Sequence, residues 1–292
     1  MKDYWGYKGK KCAVTGSSSG MGRAAAEMLV DLGAEVYGLD ITEREVPGMK
    51  FIKTDLSRKE SIDAAFAELP EEIDRFFGVA GVSGMQTGYV ATMTVNTVAN
   101  RYITDKYLLL GRRMADNGAI VYCTSASGAR WQRYMYEFSH LFLVSGTDFD
   151  GQVQALEAQR EIYGGDLTGV MAYSVSKRAT TYYAKLIMAQ AAERGIRVNN
   201  IGPGFASTGL MEEFKNMVGG TEEAVASNVA YAINRVARPE ELAAWLVMMN
   251  SEMATYCTGQ YMFLAGGLET EIELYGRIDT VGFPMLPVRE YI

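Results

Sequence analysis

Histidine is almost missing from this chain: His140 is the 1 histidine in 292 residues. That scarcity excludes a site built on two or more histidine ligands and leaves a Ser-His-Asp triad only if His140 serves in it. No metal site is expected, and His140 reads as a surface or packing residue. Cysteine is scarce too. Cys12, Cys123 and Cys257 are 3 in number and far apart; an odd, scattered set reads as small core hydrophobes in a reducing compartment rather than as a disulfide framework. Positive charge is in deficit, with 28 Lys+Arg against 35 Asp+Glu and a net charge of −7. No basic run exceeds Lys10-Lys11 or Arg112-Arg113, so no nucleic-acid partner is expected. Also lacking are an apolar run long enough to cross a bilayer and, at Met1-Lys2-Asp3-Tyr4-Trp5, the apolar core of a signal peptide. The reading is a cytoplasmic protein with no membrane partner.

What is present is an ordinary globular composition, 48% hydrophobic and 22% charged. The length suits a single α/β domain over 1–292. Short apolar runs alternate with helix-period segments, the pattern of a parallel sheet covered on both faces. Strands are predicted at Lys11–Gly16, Glu35–Asp40, Met49–Asp55, Phe76–Gly81, Ala119–Ser125, Arg197–Gly204 and Gln260–Leu264. Helices are predicted at Met21–Leu32, Ser57–Leu69 and near 93–115, 172–194 and 239–250. The fold class is therefore α/β, a Rossmann-type doubly wound seven-stranded parallel sheet in three layers, which binds ligands beyond the carboxyl ends of its strands. Residues 126–171 form an excursion before the next long helix, rich in aromatics from Trp131 to Phe149. It reads equally as a lid over a pocket or as an arm packed on another subunit.

Between the first strand and the first helix stands Thr15-Gly16-Ser17-Ser18-Ser19-Gly20-Met21-Gly22. Glycines there let the backbone turn tightly and approach a diphosphate, which the exposed amides at a helix N-terminus stabilise. Gly16, Ser18, Ser19, Gly20, Met21 and Gly22 are the candidate cofactor contacts in this loop. Asp40 closes the second strand, where a carboxylate can accept ribose hydroxyls and would repel a 2′-phosphate, so NAD is the expected cofactor.

Tyr173 and Lys177 open a long helix on one face, one turn apart, where an ammonium favours phenolate. A tyrosine needs its pKa brought down from about 10 for efficient proton exchange near neutrality, and the lysine is expected to supply part of that shift. Ser125 ends a strand at the sheet's carboxyl edge and can hold a substrate oxygen beside the phenol. Asn96 either fixes a water that replenishes the proton through Lys177 or simply satisfies local backbone.

In this order and spacing, the glycine loop, Asp40, Asp55-Leu56, Ala80-Gly81, Asn96, Ser125, Tyr173/Lys177 and Pro203-Gly204 with Thr208 closely resemble the short-chain dehydrogenase/reductase family over about residues 8–268. The resemblance implies that Asp55 and Leu56 face adenine, that Ala80 and Gly81 line the adenosine side, and that Pro203, Gly204, Phe205 and Thr208 cover the nicotinamide. It also implies a homotetramer. Two stretches look like the subgroup of bacterial 3α-hydroxysteroid dehydrogenase/carbonyl reductases and coniferyl-alcohol dehydrogenases: the extended connection with Gln154-Ala155-Leu156-Glu157-Ala158, and Arg235 to Leu242. Departures are Gly78-Val79 in place of the usual asparagines, Gly209 where a proline often stands, and a tail over 269–292 that exceeds the family core. The leading reading is an NAD(H)-dependent hydroxysteroid dehydrogenase acting at a 3α or 20β position. The alternatives are a dehydrogenase of aromatic or general secondary alcohols and a non-enzymatic protein that senses dinucleotide.

Overall fold

Strand β1 (Lys11–Thr15) is apolar on both faces, and it is buried on both: Ala13 joins one core cluster while Cys12 and Val14 join the other. The computed structural model describes residues 3–144, 146, 148–162, 169–217, 221 and 232–275. The further strands are β2 (Glu35–Asp40), β3 (Met49–Lys53), β4 (Ile73–Gly78), β5 (Met114–Cys123), β6 (Arg197–Pro203) and β7 (Tyr261–Leu264). They form the expected 7-stranded sheet in the order β3-β2-β1-β4-β5-β6-β7, with every pairing parallel. Strand order reverses between β1 and β4, and a crevice opens there at the carboxyl edge.

In chain order the helices are α1 (Gly20–Asp31), α2 (Lys59–Glu68), α3, α4 (Met135–Val144), α5 (Phe149–Ile162), α6 (Gly169–Leu186), α7 (Met188–Ala192), α8 (Gly209–Met217), α9 (Pro239–Asn250) and α10 (Leu268–Tyr275). Helix α3 runs through α-helical Tyr89–Met93 and Ala99–Tyr102 alternating with π-helical Thr94–Val98 and Ile103–Leu110. Apolar faces of α2, α3 and α6 cover one side of the sheet and those of α1 and α9 the other, giving three layers. Helix α2 is tied to α3 through Asp63, which accepts hydrogen bonds from the Tyr102 and Tyr107 hydroxyls and from Lys106. Burial pushes the Asp63 carboxyl up, but these donors outweigh it and hold the pKa at about 2.

Of the strand ends that fall short of the sequence expectation, two do so because backbone amides find a side chain or a turn. β4 stops at Gly78 because the Val79 and Ala80 amides donate to Thr15 Oγ1, at 3.0 and 3.2 Å. β5 stops at Cys123 because Ser125 accepts the Ser127 amide at 3.2 Å and caps a 3₁₀ turn over Ala126–Gly128. The glycine that departs from the family pattern also has a packing cause. A Cβ on Gly78 would lie 2.6 Å from the Tyr122 ring, so no asparagine fits there.

The excursion folds as two 3₁₀ turns followed by α4 and α5. Phe138, Phe142 and Phe149 turn inward on this same chain, whereas Tyr136 is exposed. Phe142 stacks on Tyr182 of α6 with centroids 6.0 Å apart, and Phe149 meets Tyr102 of α3 edge-on at 5.5 Å. The Phe142 carbonyl accepts from Arg101 at 2.6 Å, and Arg101 pairs with Asp105, which also accepts from Tyr183 at 2.6 Å. Of the tail, α10 is described through Tyr275, and 276–292 lie outside the described residues, as do 163–168 of the excursion. Among the described residues, no helix is long and apolar enough to cross a membrane.

Candidate active site

The loop after β1 takes the conformation its glycines permit. Gly16 has φ +71, and a Cβ there would sit 2.8 Å from the Ala80 backbone, so a side chain is both strained and obstructed. Gly22 passes so close to the Gly16 carbonyl that a Cβ would meet it at 2.1 Å. The turn therefore draws the start of α1 against the end of β4, with Ala80-Gly81 as the far wall. Asp40 stands at the end of β2, its carboxylate accepting from the Ser18 amide at 3.1 Å and the Thr42 amide at 3.2 Å.

A single cleft collects most of the predicted cofactor contacts: Gly16, Ser19, Gly20, Met21, Gly22, Asp40, Asp55, Leu56, Ala80, Gly81 and Thr208. None of the residues lining it is Lys or Arg. Ser18 stands apart from its wall, with its hydroxyl spent on the Thr42 carbonyl and its amide on Asp40. The Asp55 side chain accepts from the Ser57 amide at 2.9 Å, which fixes it at the start of the turn into α2.

Beside the cleft is a second, mostly apolar cavity of about 60 Å³. Ser125, Tyr173, Pro203, Gly204, Phe205 and Thr208 line it. Met21, Thr208 and Leu210 line both spaces and join them. Leu210, Met211 and Phe214 of α8 and Leu268 of α10 complete an apolar wall that sequence reasoning missed. Those residues come from two helices distant in sequence, and no local motif marks them. Helix α8 is fastened to the loop after β4 by a hydrogen bond from the Ser83 hydroxyl to Glu213.

Tyr173 is 6% exposed, with Phe214 packed on its ring. Burial raises its phenol well above the ordinary range, and the hydrogen bond with Ser125 offsets only part of that. Lys177 Nζ lies 5.4 Å over the Tyr173 ring centroid and donates to the Cys123 carbonyl at 3.2 Å. Burial depresses the lysine itself. The expected lowering of the phenol by the lysine is therefore not found here: burial raises the phenol, and it is the hydrogen bond with Ser125 that works the other way.

Asn96 sits in the first π-helical stretch of α3. Its Oδ1 accepts the Val82 amide at 2.9 Å, and its Nδ2 donates to the Val82 carbonyl at 3.0 Å and to Ser176 Oγ at 2.9 Å. The side chain thus clamps the loop after β4 to the helix that carries Tyr173. A Cβ on Gly81 would meet Lys177 Nζ at 3.1 Å and Asn96 Oδ1 at 3.3 Å, so these groups converge on one backbone position. The sequence reading also missed Tyr261 of β7, whose hydroxyl donates to the Ser125 carbonyl at 2.6 Å. His140 is exposed on α4.

A family model described as enoyl-(acyl carrier protein) reductase matches residues 161–269. The chain is 31% identical over 266 residues to a coniferyl-alcohol dehydrogenase of Pseudomonas sp. (strain HR199 / DSM 7063), covering 89% of this chain and 96% of that protein. It is 25% identical over 260 residues to a 3-alpha-hydroxysteroid dehydrogenase/carbonyl reductase of Comamonas testosteroni, covering 88% and 95%. The crystal structure of the 3-alpha-hydroxysteroid dehydrogenase from Pseudomonas sp. B-0831, complexed with NADH, superposes with a TM-score of 0.73 at 24% identity. That match covers 90% of this chain and 98% of the other, and it bears on the fold alone.

Proposed function

This chain belongs to the short-chain dehydrogenase/reductase family, an oxidoreductase of alcohols and carbonyls that uses a nicotinamide dinucleotide, and from that premise we propose that it is an NAD(H)-dependent hydroxysteroid dehydrogenase interconverting a steroid ketone and its secondary alcohol at a 3α or 20β position. One observation carries the reading. Tyr173 and Ser125 meet on the wall of an apolar cavity that shares Met21, Thr208 and Leu210 with the glycine-loop cleft. Flat apolar ligands suit concave sites of this lining.

The residues present fit a dinucleotide. The Gly16 turn brings the backbone to the cleft without a side chain, and Asp40 waits at its end with no basic residue to receive a second phosphate. That set supports NAD over NADP. When bound, the nicotinamide supplies or accepts the hydride. In this reading the Ser125 hydroxyl holds the substrate oxygen, and Tyr173 donates its proton to that oxygen in reduction and takes one from it in oxidation. Lys177, anchored on Cys123, sets the field at the tyrosine, and Asn96 positions Val82 and Ser176 on either side. The assembly we favour is a homotetramer, measurable by light scattering.

A second reading, a dehydrogenase of aromatic alcohols, draws on the 31% identity to the coniferyl-alcohol enzyme and on the edge-on Phe214 that offers an aromatic partner in the cavity. The deciding experiment mixes purified protein and NADH with a panel of ring and side-chain ketosteroids and with aromatic carbonyls, following loss of NADH absorbance. Turnover of the steroids supports the first reading. No absorbance loss with any steroid removes it, and turnover of the aromatic set alone establishes the second.

A further inference from the structure

Three successive residues after β4 reach three different helices. Both backbone groups of Val82 are held by the Asn96 side chain of α3. The Ser83 hydroxyl donates to the Glu213 carboxylate of α8. The Gly84 carbonyl accepts the Gly169 amide at 2.9 Å, at the start of the helix that carries Tyr173. Glycine suits that third position, since its φ is +78 and a Cβ would lie 2.8 Å from the Gly169 carbonyl. Ser83 is thus held on both sides, and its bond ties α8 to a fixed post. Its oxygen also accepts the Met85 amide at 3.1 Å, which leaves its one proton for Glu213.

Helix α8 lies along both spaces of the site. Gly209 and Leu210 line the glycine-loop cleft together with Gly81 and Val82, while Leu210, Met211 and Phe214 line the cavity. Ser83 follows Val82 directly, and Glu213 stands one turn beyond Gly209. The bond therefore bridges two segments that wall the same cleft. The entry to α8 is anchored by backbone, with the Ser207 amide donating to the Ala237 carbonyl at 2.8 Å and the Ala237 amide to the Phe205 carbonyl at 3.0 Å. Past that anchor, Ser83 to Glu213 is, among the described residues, the one side-chain hydrogen bond that α8 makes with another element. The packing of Phe214 on Tyr173 adds attraction, and the apolar part of it is non-directional. Ser83 is 2% exposed, so water has little access to the hydroxyl that bonds the carboxylate.

We propose that Ser83 and Glu213 are positioning residues that hold α8 against the cleft wall and so set how long the dinucleotide is retained, its departure requiring that this bond open while the Ala237 anchor stays. Neither residue lines the cleft or the cavity, so both act through α8. The proposal rests on the reading of the glycine-loop cleft as the dinucleotide site and not on which alcohol is the substrate.

The test follows release of bound NADH by stopped-flow displacement, read by its fluorescence. Glu213→Ala and Ser83→Ala are each expected to release it about tenfold faster than wild type, the loss of one hydrogen bond to a charged group, with association within about threefold. Both substitutions in one chain are expected to do no more than either alone. Glu213→Gln keeps an acceptor oxygen on the same stem and is expected to stay within about threefold of wild type. Hydrogen exchange of the α8 amides, measured without cofactor, is expected to quicken by about tenfold in Glu213→Ala. Wild-type release rates in both alanine variants overturn the proposal, as does a double variant whose effects multiply. A lowered Tm with unchanged release marks a merely structural bond and also overturns it. So does Glu213→Gln releasing NADH as fast as Glu213→Ala. A wild-type protein that binds neither NADH nor NADPH counts instead against the reading of the cleft. Unchanged exchange in α8 overturns the role of the bond whatever the chain binds.

Discussion

Phe214 lies edge-on to Tyr173, with ring centroids 5.0 Å apart and planes at 68°. The contact joins two elements far apart in sequence, helix α8 and helix α6, and it closes the face of the phenol that points toward the apolar wall. Because the neighbouring Glu213 is fastened to Ser83, the same helix is held at two successive residues.

Truncating this ring loosens the wall while leaving the Tyr173 hydroxyl and its bond with Ser125 in place. Phe214→Ala is expected to raise KM for bulky apolar substrates by roughly tenfold, the worth of an aromatic contact plus part of its burial. NADH affinity should change far less. Steady-state kinetics with one large and one small ketone checks this, and equal KM values in wild type and variant would remove Phe214 from the substrate wall.

Tyr173→Phe deletes one hydroxyl and leaves the edge-on contact with Phe214 in place. Turnover is expected to fall by on the order of 10²- to 10⁴-fold, the usual worth of a positioned proton donor. NADH binding, followed by fluorescence titration, should stay within a few-fold. Unchanged turnover contradicts the assigned role.

The direction of the tyrosine's shift sets a pH dependence. Burial raises the phenol, so the neutral, proton-donating form persists across the neutral range and into alkali. Reduction draws on that form and should be flat from about pH 6 to 9, whereas alcohol oxidation needs the deprotonated form and should climb by up to about tenfold per pH unit over the same span. Oxidation that declines as pH rises through this range is the contrary result.

Asp40 governs the choice of dinucleotide in our reading. Asp40→Ala removes a carboxylate that would repel a 2′-phosphate and withdraws the acceptor of the Ser18 and Thr42 amides. The ratio of kcat/KM for NADPH over NADH is expected to rise by about tenfold or more, with part of the change coming from weaker NADH use. A ratio that stays constant shows that discrimination lies elsewhere.

Asp63 supplies a stability test independent of chemistry at the cavity. Its carboxyl is held at about 2 by Tyr107, Tyr102 and Lys106 against the opposing effect of burial. A depressed carboxyl stabilises the fold above its unfolded value and ceases to do so as pH falls through the folded value, so the window is from about pH 4 down to about 2. Allowing for solvent screening at this largely accessible group, Asp63→Asn should cost about 1 kcal/mol at neutral pH. Denaturant melts at neutral pH and at about pH 2.5 should show the difference shrinking at the lower value.

The sheet was legible because buried parallel strands carry continuous apolar runs. Glu35–Asp40 and the helix over 239–250 were read with their observed bounds, the latter set by Pro239 at its start and by Glu241 accepting the Arg238 amide at 2.8 Å. The early residues of β4 were missed since Asp74 and Arg75 interrupt the apolar run. Their charges are met by Lys10 and Glu252 at 2.9 Å each, a compensation no local pattern announces. The start of β5 was hidden by Asn117 and Gly118, with Asn117 at φ 60. At the site, the loop glycines, Asp40, Ser125 and the Tyr173/Lys177 pair stood out because turns and helical spacing write themselves into short motifs. Phe214, Leu268, Tyr261 and Glu213 did not, for their significance arises only when separate elements pack.

The hydrogen bond from Tyr261 to the Ser125 carbonyl has a consequence for biosynthesis. A chain emerging from the ribosome can complete the glycine loop, Asp40 and the Ala80-Gly81 wall of its dinucleotide cleft, with β1 through β4, before β7 exists. The support beneath Ser125, however, arrives only with β7, after the six other strands. Nascent protein should thus hold dinucleotide before it can process alcohol, and any truncation that deletes the seventh strand should yield a binder that turns nothing over.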